Sequence, residues 1–485
     1  MATTMGRMGR RGFLGRAGVL AGGAVVSTTA LQKLTASAAY AQAGPAAARE
    51  ASRSGAGYGP LAPTGDQSGA EILALPAGFS YVTFSRTGSP LLSGQGVVPR
   101  NHDGMGALAG PDGTVRLIRN HENRNDPGDP ALGVPGPDAT RYDPLGYGGT
   151  ITVDFDLGAR QPVREFVSLN GTIVNCAGGI ACEDAGWITC EETVDGPDDG
   201  FGQKHGYPFL VPAGANETVP AVPLTAMGRF AHEAVSVDPR TGIVYETEDA
   251  GDNSGFYRFL PEDPSDLTGG GRLQMLALVA RPNYDTIRNQ RVGRSLPVRW
   301  VDISAPDPDL EGGASNVFDQ GADAGGARFN RLEGIWWGED SCFFNSTSGG
   351  NAGLGQVWEY RPLGKGDGLG VLTLVYESPE ASVLDSPDNL LFTPRGGIVL
   401  CEDDASGDGD THPLAPGITD VNRVIGLEEE GEPFELAVNR LNGSEFAGAC
   451  FSPDGDTMFV NIFGDATPGS GMTCAITGPW ADGPL

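Results

Sequence analysis

Basic residues are scarce in this chain, and beyond its N-terminal stretch it lacks any apolar run long enough to cross a membrane. The 485 residues include 32 Lys and Arg against 62 Asp and Glu, a formal net charge of −30. Residues 1–43 hold five positives (Arg7, Arg10, Arg11, Arg16 and Lys33) and no acid, so the rest carries 27 basic against 62 acidic residues, a net of −35. A surface that acidic repels nucleic acid and anionic membranes, so neither is an expected partner. CxxC pairs are missing, and the seven cysteines are not closely spaced, which excludes a zinc ribbon and a small disulfide framework. HExxH and Ser-His-Asp spacings are missing too, which leaves no sign of a zincin or of a serine hydrolase. Hydrophobic residues make up only 39%, yet strand patterns recur too regularly for disorder.

What the chain has in quantity is turn formers, 75 Gly and 36 Pro, and six stretches of one layout. Each reads polar cluster, short strand, tight turn, second strand, polar cluster. They cover residues 101–122, 175–192, 232–249, 333–345, 388–404 and 445–461, with turns near 112, 185, 240, 339, 396 and 454. The intervals are regular except where insertions intervene, notably the Pro-rich 259–312 region. In a hairpin the start of the first strand and the end of the second lie at the same end of the ladder. Radially arranged hairpins therefore bring all their polar clusters to one mouth. The expected fold is all-β, a six-bladed β-propeller with inserted loops, in which a strand at 79–85 completes the last blade. A β-sandwich, the other architecture open to these strands, would scatter the clusters.

The expected division is a signal peptide over 1–43, a linker or surface arm over 44–75, and one propeller domain over 76–485. Arg10-Arg11-Gly12-Phe13-Leu14 is a twin-arginine motif, an apolar stretch follows, and Ala41-Gln42-Ala43 fits a cleavage site. This predicts the twin-arginine export machinery as a partner and a periplasmic or secreted location. No membrane span is expected in the mature chain, and a monomer is expected. Export of folded protein suits a metal site loaded beforehand.

The polar clusters are His121-Glu122, Glu191-Glu192, His232-Glu233, Glu248-Asp249, Glu333, Asp388-Asn389 and Glu402-Asp403-Asp404. Oxygen-rich sets of this kind suit calcium, and Cys176 and the histidines add softer ligands for a transition metal such as iron. Taken alone, each has a plainer explanation. Asp112, Asp238 and Asp454 cap turns, His102 and His205 read as hydrogen-bonded structural residues, and Cys190, Cys342, Cys401 and Cys450 read as small buried hydrophobes. Recurrence at one end of several hairpins favours metal, because like charges that close repel unless protonated or bridged by cations.

At these residues the chain resembles the PhoX alkaline phosphatase family, as a divergent and shorter member. The resemblance rests on NHDGM (101–105), RNHE (119–122), NCAGG (175–179), TCEE (189–192), KHGYPF (204–209), GRFAHEA (228–234), ETED (246–249), EGIWW (333–337), PDNL (387–390), CEDD (401–404) and EFAGACFSPDG (445–455). It departs at Ile180–Trp187, which is about one residue longer than the family pattern. The resemblance implies a secreted phosphatase acting on small-molecule phosphate monoesters, with a pair of ferric ions and several calcium ions joined by an oxo group. It implies Cys176 as an iron thiolate, Glu192, Glu233, Glu248, Glu333 and Glu402 as metal ligands, Asp388 as a calcium ligand, and Asn389 and Arg395 as catalytic contacts to phosphate. Two other functions fit a propeller of this kind: a calcium-binding propeller without catalysis, and a calcium-dependent hydrolase such as a lactonase.

Overall fold

A computed structural model describes residues 57–364, 368–403, 406–428 and 431–485. The twin-arginine segment lies outside the described residues. The described residues are all-β and propeller-like, with five hydrogen-bonded sheets among them. The expected hairpins all form. Their first strands are His102–Ala109, Asn175–Ile180, His232–Val237, Leu332–Trp337, Pro387–Phe392 and Phe446–Phe451. Each of these packs beside the next, and the last packs beside the first, so they line a closed ring. Apolar side chains fill the wedges between neighbouring sheets.

Six separate sheets are not seen. The reason lies in the 259–312 insertion, where Ser295–Asp302 pairs with Gly271–Leu278 on one side and with Leu369–Glu377 on the other. This bridge fuses the third and fourth hairpins into one nine-stranded sheet. The early strand Ser80–Phe84 pairs with Met472–Thr477 in the sheet of the sixth hairpin, so the two ends of the chain close the ring together. The stretch 44–75, expected as a linker or surface arm, carries two strands where it is described. Leu61–Thr64 and Leu73–Pro76 form a hairpin whose inner strand pairs with Pro433–Asn439. Its four buried residues Leu73–Pro76 explain why it docks rather than hangs free. The Ile180–Trp187 departure forms the turn of the second hairpin, with Glu183 and Asp184 both left-handed at φ 56°. All seven cysteines are free, and Cys190, Cys342, Cys401 and Cys450 are buried. No helix among the described residues is long and apolar enough to cross a membrane.

Candidate metal centre

One backbone device, repeated around the ring, builds the site. Every first strand slips register near its start, where two residues oppose one. Such bulges re-aim a side chain out of the pleat. The first bulge residue is Asp103, Cys176, Glu233, Glu333 and Asp388 in hairpins one to five, and Gly448 in the sixth, whose bulge sits one step further along. The second bulge residue is small where consecutive strands crowd: a Cβ on Gly334 would come within 2.4 Å of the Leu390 nitrogen.

A bulge frees a carbonyl from the ladder, and a buried carbonyl needs a donor. The preceding hairpin supplies it. Asn120 donates to the Cys176 carbonyl (2.9 Å), Thr247 to Glu333 (2.6 Å), Asn345 to Asp388 (2.6 Å) and Asn461 to Asp103 (2.6 Å). The last of these runs from the sixth hairpin to the first. Each ladder is then closed at the mouth by a further hydrogen bond. The N–H beyond the second strand donates to the carbonyl before the first strand: Glu122 to Asn101, Glu192 to Val174, Asp249 to Ala231, Thr347 to Arg331, Asp403 to Ser386 and Phe463 to Glu445. At the accepting residue the backbone is left-handed in Asn101, Val174, Arg331 and Ser386, with φ between 39° and 56°. For a β-branched residue such as Val174 that conformation is strained, and it recurs at the rim of the cavity.

These residues line a cavity of about 440 Å³ with Glu122, Cys176, Glu192, Glu233, Glu333, Asp388, Asp403 and Glu445 on its walls. Cys176 is central. Its Sγ donates to Glu233 Oε1 at 3.2 Å. It belongs to two donor triads, with Asp103 and Glu122 and with Glu192 and Glu233, in each of which the ligand atoms lie within 4.8 Å of one another. Burial, and then the charge of neighbouring acids, raises the carboxyls of Asp103, Glu233, Glu333 and Glu445 well above the usual range; Asp388 is pushed up to about 7. The same causes hold the Cys176 thiol high. Two guanidiniums offset part of this charge. Arg124 bridges Glu122 and Glu192, and Arg331 reaches Glu333 (2.5 Å), Asp249 (3.2 Å) and Asp403 (3.5 Å). Eight acids, Asp103 included, and a thiol against three arginines, Arg100, Arg124 and Arg331, is a set that cations would complete. Its mostly oxygen donors with one sulfur fit calcium together with a thiolate-accepting metal such as iron.

Cys176, Glu192, Glu233, Glu333 and Asp388 are thus brought together as the sequence suggested. Glu248, Glu402 and Arg395 are not. Glu248 accepts from the Tyr257 hydroxyl (2.6 Å) and the Gly255 N–H (2.9 Å), and burial pushes it up to about 8 against those bonds. Glu402 is gripped by both arms of Arg423, at 2.6 and 2.7 Å. Both end a second strand, and on that strand the following residue, Asp249 or Asp403, is the one turned toward the mouth. Arg395 sits in the turn of the fifth hairpin, at the far end of the ladder, and donates to the Gly455 carbonyl (2.9 Å). Asn389 lies below the cavity, donating to Asp388 Oδ1 (2.9 Å) and accepting from the Gly448 N–H (2.6 Å), which makes it a support for Asp388. Sequence reasoning missed Asp103, Glu445, Arg124 and Arg331. The repeat of a ligand-type residue one place into each first strand would have found Asp103.

Glu191, equivalent to Glu248 and Glu402, shows what this inner row does. It accepts from His205 Nδ1 at 2.6 Å, and His205 Nε2 reaches Asp143 at 3.3 Å. Burial alone would lower the imidazole, but the Glu191 charge and the two hydrogen bonds override it and raise His205 to about 9. A raised folded pKa gives stability that is complete below about pH 6.5 and lost as pH rises through about 9. Denaturant titrations of His205→Gln should therefore lack a fall of up to about 1.4 kcal/mol per pH unit that the parent shows between those values. Parallel curves for the two proteins would refute the ion pair.

The family model described as alkaline phosphatase PhoX matches residues 56–161 and 155–469. No curated protein sequence matches the chain. Among solved structures, Pseudomonas fluorescens PhoX in complex with vanadate, a transition state analogue, is 19% identical. The match covers 89% of this chain and 99% of that one, with a TM-score of 0.63. A gluconolactonase from Xanthomonas campestris is 12% identical over 87% of this chain and 98% of that one, with a TM-score of 0.34.

Proposed function

The chain belongs to the alkaline phosphatase PhoX family, and from this we propose that it hydrolyses small-molecule phosphate monoesters in the 440 Å³ cavity with calcium and ferric iron bound there. The observation that carries the reading is the convergence of five hairpins' bulge residues, with Cys176 common to two donor triads. Asp103, Glu122, Cys176, Glu192, Glu233, Glu333 and Asp388 would hold the cations. When bound, these supply positive field to the phosphoryl oxygens and to the charge growing on the leaving oxygen. The protein's own part is to fix the donors on braced bulges and present Arg331 and Arg124 beside them, so that these arginines together with the cations would offset the repulsion of a dianionic ester by an exported chain of net charge −35.

The six-bladed count is part of the same reading, with the nine-stranded sheet taken as two blades fused at their outer edge. So are residues 1–43 as a twin-arginine leader and a periplasmic or secreted, monomeric product. The test uses natively exported protein. Phosphate should be released from a chromogenic monoester, chelation should cut the rate at least about hundredfold, and calcium should restore it. Elemental analysis should find calcium and iron. Bound calcium without phosphate release would leave the non-catalytic propeller, and lactone turnover alone would leave the lactonase.

A further inference from the structure

The sixth hairpin furnishes the cavity differently from the other five. In five hairpins the two matching positions, the first bulge residue and the residue after the second strand, both carry polar side chains: Asp103 and Glu122, Cys176 and Glu192, Glu233 and Asp249, Glu333 and Thr347, Asp388 and Asp403. In the sixth the corresponding residues are Gly448 and Phe463, neither of which offers a ligand atom, and its wall carboxylate, Glu445, comes instead from the residue before the first strand. Gly448 cannot be replaced by a larger donor. Its φ is +62°, and a Cβ there would lie 2.4 Å from the Asp103 carbonyl. Phe463 is half-buried and lines the cavity beside Ala466, yet it belongs to none of the hydrophobic clusters and stacks on no other ring among the described residues. A large apolar side chain outside the apolar clusters, set in a wall of acids, gains little from its exposed part unless something covers it.

Its backbone is fixed nonetheless. The Phe463 N–H donates to Glu445 (3.1 Å), and its carbonyl accepts from the His102 N–H (2.9 Å), so the residue is tied to the sixth hairpin and the first at once. The loop beyond it is equally held: Gly464 N–H donates to Ser444 Oγ at 2.7 Å, and Asp465 N–H to Ser470 Oγ at 2.9 Å. Asp465 Oδ1 accepts from the Thr467 N–H (2.7 Å). That bond and the Ser470 hydroxyl lower its carboxyl, so it stays charged at the rim.

We propose that this sixth sector receives the organic group of the ester, with Phe463 as the residue that sets specificity. The favoured substrates are then monoesters of neutral aryl or alkyl alcohols, and esters whose alcohol part carries its own negative charge are disfavoured by Asp465 beside it. The inference rests on the phosphatase reading above. The phosphoryl end lies among the bulge donors of the other five hairpins, and among the described residues that line the cavity the apolar side chains are Phe463 and Ala466, both in the sixth sector.

Benzyl, methyl and 4-carboxybenzyl phosphate separate the terms, because the benzylic carbon insulates the leaving oxygen from the distant carboxylate. In the metal-loaded parent, kcat/KM should rank benzyl above methyl and above 4-carboxybenzyl phosphate. Phe463→Ala should lower the benzyl-to-methyl ratio about tenfold, and Phe463→Trp should keep it. Asp465→Asn should raise 4-carboxybenzyl relative to benzyl turnover about threefold. If Phe463→Ala slows all three esters equally, or changes no ratio, the sector has no part in specificity while the phosphatase reading stands. If the parent releases phosphate from none of the three, both readings fall.

Discussion

Replacing Glu233 by Gln is expected to cut phosphate release at least about hundredfold and, in metal-free protein, to raise the melting temperature. The two effects have one cause. Glu233 is buried, its near neighbours Asp388, Glu192 and Asp103 are acids, and its Oε1 accepts from the Cys176 thiol. Without cations its charge is a liability, and the glutamine removes repulsion that the fold otherwise tolerates by keeping carboxyls protonated. With cations the same charge is what binds them. Losing it removes an anionic oxygen from the triad centred on Cys176, and a hundredfold in rate corresponds to about 2.7 kcal/mol of barrier stabilisation. A merely structural glutamate would lower both rate and stability. A variant with parental turnover and parental metal content would take Glu233 out of the centre.

Much of this was legible in the sequence, for a reason that also set its limit. Hairpin ends identify which end of the ladder a cluster occupies, so gathering Cys176, Glu192, Glu233, Glu333 and Asp388 at one mouth needed only the turn positions. Alternation along a strand decides which of two adjacent acids faces that mouth, and a slip of one residue exchanges the faces. In Glu191-Glu192 the second residue was chosen and lines the cavity. In Glu248-Asp249 and Glu402-Asp403 the first was chosen, and it belongs to the inner row held by Tyr257 and Arg423. The bulges are what make the phase hard to read, since each shifts the pleat midway through a strand. Arg395 failed differently. It lies in a stretch that resembles the family, but it sits in a turn, and turns point away from the mouth. Arg331 was invisible because its side chain enters the cavity from a left-handed residue before the strand, a conformation no periodicity predicts. The fused nine-stranded sheet was hidden in the Pro-rich insertion: Ser295–Asp302 alternates as a strand should, but nothing in its own residues says that it pairs on both edges, with Gly271–Leu278 and with Leu369–Glu377.

The phase of the inner row yields the second large effect. Glu402→Gln should destabilise the protein by about 3–5 kcal/mol, because it takes the two-pronged carboxylate from the buried Arg423 guanidinium and leaves it the longer 3.3 Å pair with Glu435. Side-chain exposure is 1% for Glu402 and 4% for Arg423, so water cannot replace the lost carboxylate. The damage would spread, since Glu402 also accepts from the backbone N–H groups of Asp385 (2.8 Å) and Arg423 (2.9 Å). Asp403, one residue on, should behave in the opposite way. It lines the cavity, stands 3.5 Å from Arg331 and is a quarter exposed. Asp403→Asn should therefore change stability by no more than about 1 kcal/mol, the range of a partly exposed ion pair, while turnover falls about tenfold through the altered charge beside Arg331. Chemical denaturation and phosphate release, measured on the two variants side by side, decide the matter. Loss of metal and turnover in Glu402→Gln at parental stability would reverse the assignment of the two rows and return Glu402 to the metal centre.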